Sequence, residues 1–66
     1  MKCIYTKYGI EVFEEGKKYY LRYDAGEIVI KLRTIEISKE EAIEIQQQRS
    51  PQEMYEYMIE KLNDRL

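Results

Sequence analysis

Apolar residues recur at every second position along the first half of the chain and at every third or fourth position along the second half. The first period belongs to half-buried strands and the second to amphipathic helices. Strand-like stretches at 3–8, 10–13, 17–23 and 27–37 are separated by Gly9, Gly16 and Gly26, a spacing typical of antiparallel hairpins. Side-chain parity then constrains how they pair, because a slip of one residue sends every side chain to the opposite face. An even-length connection over Asp24-Ala25-Gly26-Glu27 sets Tyr23 opposite Ile28. It puts Tyr19, Leu21 and Tyr23 on one face with Ile28, Ile30 and Leu32. The same test at Glu14-Glu15-Gly16-Lys17 pairs Phe13 with Lys18 and adds Ile10 and Val12 to that face. Ile4 and Thr6 are expected to join it, with Cys3 and Tyr5 on the other side. After Leu32 the apolar positions change phase to Ile35 and Ile37, which predicts a bulge or bend near Arg33-Thr34.

The helical half opens at Ser38-Lys39-Glu40-Glu41, where the Ser hydroxyl can accept from the Glu41 N–H while the Glu41 carboxylate reaches back. Ser50-Pro51-Gln52-Glu53 repeats the signal, with Pro at the first helical position, where its missing N–H costs nothing. A first helix is predicted over about residues 39–48, with a thin apolar face of Ala42, Ile43 and Ile45. A second is predicted over about residues 51–66, with a stripe of Met54, Tyr55, Met58, Ile59, Leu62 and Leu66 that should cover the sheet. The expected fold is α+β: an antiparallel β-meander of three to four strands, followed by two C-terminal helices packed on one sheet face. Residues 1–66 read as a single small domain, with a sheet half at 1–37 and a helical half at 38–66.

Composition narrows what such a fold can do. At 66 residues and 8.1 kDa, a chain buries only about 60% of the surface that its unfolded form exposes. Its own core is small, and dimerisation or a partner would supplement it. The longest unbroken aliphatic run, Ile28-Val29-Ile30, is far short of the roughly 20 residues of a spanning helix. The first residues lack the apolar stretch of a signal peptide. A single cysteine, Cys3, cannot form an internal disulfide, and a cytoplasmic setting is expected.

Signatures of catalysis are missing from the sequence. The chain has no His, so there is no imidazole to exchange protons near neutral pH, activate a nucleophile or bind a metal. Its glycines stand alone, without the spacing of a phosphate-cradling loop. One thiolate does not build a structural zinc site. The expectation is a non-enzymatic protein with no cofactor, no metal and no small-molecule substrate.

What remains is surface. In the register argued above, the sheet face away from the core carries Phe13, Lys18, Tyr20, Arg22, Val29, Lys31 and Arg33, with Glu11 alongside. Basic groups interleaved with aromatic and aliphatic side chains fit a protein partner or self-association. The alternative is nucleic acid, with phosphates on the basic groups and bases stacked on Tyr20, although a sequence pI near 5.1 opposes it. Charge is unevenly placed: residues 1–35 hold seven basic and five acidic side chains, whereas residues 36–66 hold four and eight. Glu53, Glu56, Glu60 and Asp64 form an acidic ridge, which is an alternative docking surface for a basic partner. In general type, a compact, Tyr-rich, His-free chain resembles the short accessory proteins of phages and mobile elements, although no motif carries the resemblance. Such proteins commonly bind and block a larger host protein, so a regulator or inhibitor is expected.

Overall fold

A computed structural model describes residues 1–24 and 28–66. Among them the chain forms four strands, β1 (Lys2–Lys7), β2 (Ile10–Glu15), β3 (Lys18–Asp24) and β4 (Leu32–Ile37). They lie side by side in chain order, each antiparallel to the next. Two helices follow, α1 (Lys39–Gln46) and α2 (Pro51–Lys61), and then a 3-10 turn at Asn63–Arg65. This is the meander with two C-terminal helices that the patterning predicts.

Two tight turns build the first three strands. Tyr8-Gly9 joins β1 to β2 with φ of 56° and 79°, the left-handed pair that a type I′ hairpin requires. Gly16-Lys17 joins β2 to β3, with φ of 62° at Gly16. A Cβ added at Gly16 would meet nothing within 4 Å, so backbone conformation, not crowding, favours glycine there. Glu15 pairs with Lys18 and Phe13 with Tyr20, so the ladder runs two residues further into the turn than a Phe13–Lys18 pairing would. A slide of two preserves parity. Ile10 and Val12 therefore still share a face with Tyr19, Leu21 and Tyr23.

The connection to β4 departs from the expected register. Tyr19 pairs with Ile37, Leu21 with Ile35, Tyr23 with Arg33 and Asp24 with Leu32. Residues 28–31 precede the ladder, so Tyr23 does not face Ile28. The turn expected at Ala25, Gly26 and Glu27 lies outside the described residues. The odd-numbered isoleucines take the core-facing positions, with Ile37 buried and Ile35 partly buried. A longer connection thus accounts for the change of phase, and the β3–β4 pairing continues through Arg33-Thr34 without a register shift. The irregularity falls in β1, between Cys3 and Tyr5. It sets Tyr5 opposite Val12 on the core side and Thr6 opposite Glu11 on the other, reversing the placement expected for those two residues. Cys3 stays on the outer side, opposite Phe13.

Both helices begin where the capping signals put them. Ser38 Oγ accepts from the Glu41 N–H at 3.1 Å, and the Ser38 N–H donates to Glu41 Oε1 at 2.8 Å. Ser50 Oγ accepts from the Glu53 N–H at 3.1 Å, with Pro51 at the start of α2. Both helices stop short of the expected ends, α1 at Gln46 and α2 at Lys61. They pack on one sheet face: Ala42, Ile45, Met54, Tyr57, Met58 and Leu62 meet Ile10, Val12, Leu21, Tyr23 and Ile37 in one buried cluster. Tyr57 joins this core although it lies outside the predicted stripe, whereas Ile43, Tyr55 and Ile59 are exposed.

Candidate docking surfaces

The residues expected to form one surface separate into groups. Phe13, Lys18, Tyr20 and Arg22 lie on the sheet face away from the helices, as parity requires. Their neighbours on β4 differ from those expected: Tyr20 stands opposite Glu36, and Arg22 opposite Thr34. Val29 and Lys31 lie in the segment before β4. Arg33, opposite Tyr23, falls on the helix-bearing side. The register of β4 separates these three from the rest.

The outer face is internally matched. Arg22 donates through Nε and Nη2 to Glu11 Oε1, at 2.9 and 2.5 Å. Its guanidinium also sits 4.8 Å from the centre of the Phe13 ring, within reach of a cation–π contact. Phe13 is only 8% exposed although it lies outside the helix-covered core. Lys18 faces Glu15 across the β2–β3 turn. Glu11, Glu15 and Glu36 thus intersperse the basic groups, and Phe13, one of the two aromatic side chains of this face, is already covered.

Apolar surface is exposed elsewhere. Ile28, Val29, Ile30 and Leu32 are 97, 71, 81 and 56% exposed. They leave the sheet at its Asp24 end, where Leu32 pairs with Asp24. The Lys31 N–H donates to Asp24 Oδ1 at 2.9 Å and ties the segment there. At the same end lies an open pocket of about 400 Å³, between the β1–β2 turn, the end of β3 and α2. Tyr8, Tyr23, Met54, Tyr55, Met58 and Ile59 contribute to its wall, and Asp24 lies on it. Tyr8 is held by its hydroxyl, which donates to the Arg49 carbonyl at 2.7 Å. The wall therefore joins the first hairpin to the approach of α2.

The acidic ridge is present in part as a helix feature. Glu53, Glu56 and Glu60 are exposed on α2, while Asp64 lies beyond the helix, in the 3-10 turn. Gln52 Nε2 donates to Glu56 at 3.2 Å. Among the described residues no group of three or more His, Cys, Asp or Glu side chains could hold a metal ion. No helix among them is long and apolar enough to cross a membrane.

Parity assigned Ile28, Ile30 and Leu32 to the core and therefore missed the most exposed apolar segment. The signal that could have found it was the phase change at Ile35 and Ile37, which also fits a longer connection. The class defined by this architecture is a small α+β sheet-and-helix protein. Comparison with protein-family models, curated proteins and solved structures found no match.

Proposed function

We propose that this chain is a non-enzymatic protein-binding module, acting as a regulator or inhibitor of a larger protein. The observation that carries this reading is the exposed run Ile28, Val29, Ile30 and Leu32 beside an open apolar pocket. Contiguous apolar surface on a small protein marks contact with another protein more often than chance exposure does. Val29 and Lys31, two residues of the expected partner-binding set, belong to this run. Phe13, Tyr20 and Arg22 form a second, more polar surface on the outer sheet face. Nucleic-acid binding has less support, because Arg22 is paired with Glu11 and Tyr20 stands beside Glu36.

The test is a tagged pull-down from the source organism with the unaltered chain, a Val29→Glu variant and a Tyr20→Ala variant. A retained protein that is lost with Val29→Glu but kept with Tyr20→Ala is the expected result. Retention of nothing, or retention indifferent to Val29→Glu, would remove the support for this docking segment.

A further inference from the structure

We propose that a second copy of this chain occupies the pocket, each copy laying its 28–32 segment against α2 of the other. This rests on the reading of that segment as a docking surface and adds the identity of its partner. A two-fold dimer needs one surface that carries both halves of the contact. This chain has them at the same end: an apolar projection, and an apolar hollow whose rim includes Asp24, the residue that pairs with Leu32. The projection does not fill its own hollow, since Ile28 and Ile30 are almost fully exposed and absent from the pocket wall.

Charge selects the partner. Lys31 and Arg33 accompany the projection, and both are exposed. Asp24 lies on the wall of the hollow, and on α2 Glu56 lies one helical turn before Ile59, an exposed wall residue. Two-fold exchange brings basic residues of one copy toward acidic residues of the other, and does so twice. Opposite charges around an apolar centre fix orientation and disfavour other partners. The hollow, about 400 Å³, falls in the size range of pockets that accept a compact apolar group.

The experiment is sedimentation equilibrium or light scattering on the full chain across a concentration series. Two variants are measured alone and mixed. Ile28→Asp spoils the projection and Tyr55→Asp spoils the hollow; both side chains are exposed in the single chain, and circular dichroism checks that each variant folds. The unaltered chain should reach twice 8.1 kDa. Each variant alone should associate roughly tenfold more weakly or worse, as expected when a charge enters an apolar contact. Mixing them should restore part of the association, because a mixed pair keeps one intact projection in one intact hollow. Should Tyr55→Asp fail to fold, the charge exchange replaces it: Lys31→Glu should weaken association and Glu56→Lys in the same chain should recover it.

A chain that stays monomeric at high concentration overturns the proposal, as does a dimer indifferent to Ile28→Asp. A mixture no stronger than its components also overturns it, and points instead to pairing between β4 edges. A monomer whose pull-down partner still depends on Val29 would leave the docking reading intact and remove only the second copy. A dimer that depends on Ile28 and retains nothing else in the pull-down would keep the second copy and remove the role as regulator or inhibitor of a larger protein.

Discussion

Tyr57 shows what a single buried hydroxyl does in a core this small. Its ring is part of the buried cluster, yet its oxygen has no hydrogen-bond partner among the described residues. Burial, reinforced by Glu44 and Glu41, pushes its ionisation up to about 12. A buried polar group without a partner loses its hydration and receives nothing in return, a cost of about 1–3 kcal/mol. Tyr57→Phe removes that oxygen and keeps the ring. The expected outcome is equal or greater stability, by up to about 1 kcal/mol, measured as an unchanged or raised urea midpoint with unchanged slope. A clear loss of stability would show that the hydroxyl is satisfied in solution. Helical spacing fits Tyr57 to the core as well as it fits Tyr55, because Tyr57 stands three residues after Met54 and one before Met58; the packing, not the spacing, buries Tyr57 and leaves Tyr55 exposed.

At the scale of elements, a carboxylate joins the two helices. Glu41 completes the cap of α1 and also receives both terminal nitrogens of Arg65, from the 3-10 turn after α2. Arg65 additionally donates to the Glu36 carbonyl at 3.4 Å. One side chain thus fastens the start of the first helix to the end of the helical half. The Arg65 hydrogen bonds hold the Glu41 carboxyl down at about 2, against an ordinary 4.5. A depressed carboxyl stabilises the fold fully above its unfolded value and loses that contribution as pH falls toward its folded value. Stability should therefore fall between about pH 4.5 and 2 in part through this clamp. Arg65→Ala should cost up to about 1 kcal/mol at neutral pH and flatten the acid limb of a melting-temperature profile. An acid limb unchanged by Arg65→Ala would mean that other carboxylates govern it.

The same scale shows how far the chemistry of the sequence could be read. Ser38, Ser50 and Pro51 mark helix starts through local hydrogen bonding and a fixed φ, so both starts were legible. Faces within β2 and β3 were legible through parity. Pairing was not, because sliding by two residues leaves parity unchanged, and tight turns at Gly16-Lys17 and Tyr8-Gly9 decide the slide. The β3–β4 connection failed for a different reason: Ile28, Ile30 and Leu32 compete with Ile35 and Ile37 for the same face, and alternation ranks both sets equally. Pairing Ile37 with Tyr19 places it where the helices can bury it, an advantage invisible to a local pattern. Of the candidate surface, Phe13, Lys18, Tyr20 and Arg22 were grouped correctly by face. Val29, Lys31 and Arg33 were assigned to it by a register that the fold does not adopt.

At the scale of the whole molecule, one sheet face supports nearly all the packing. Leu21, Val12, Ile45, Met54 and Leu62 are the largest fully buried side chains and come from both halves of the chain. A single truncation among them affects the sheet and the helices together. Leu21→Ala should cost about 2–5 kcal/mol, comparable with the roughly 3–5 kcal/mol that a core of this size supplies. The variant is expected to be largely unfolded at 37 °C by circular dichroism. A cooperative melt near that of the parent would show that stability comes mainly from assembly, as a second copy would provide. The outer face should respond differently: loss of Arg22 uncovers Phe13 without opening the helix-packed core.

Residues 28–37, Ile-Val-Ile-Lys-Leu-Arg-Thr-Ile-Glu-Ile, bear on how the protein behaves before it is folded. Free of Pro and Gly and rich in β-branched side chains, this stretch has the composition of a cross-β seed. In the native chain its second half is held on the sheet edge by β3. Its first half projects. Lys31, Arg33 and Glu36 interrupt it and act as gatekeepers, charges that oppose stacking of identical strands. Their value is thus greatest in newly made or heat-damaged chains, where the run is fully bare. Neutralising Lys31 and Arg33 together would lower the concentration at which the protein stays in solution, even where the folded state is unaltered.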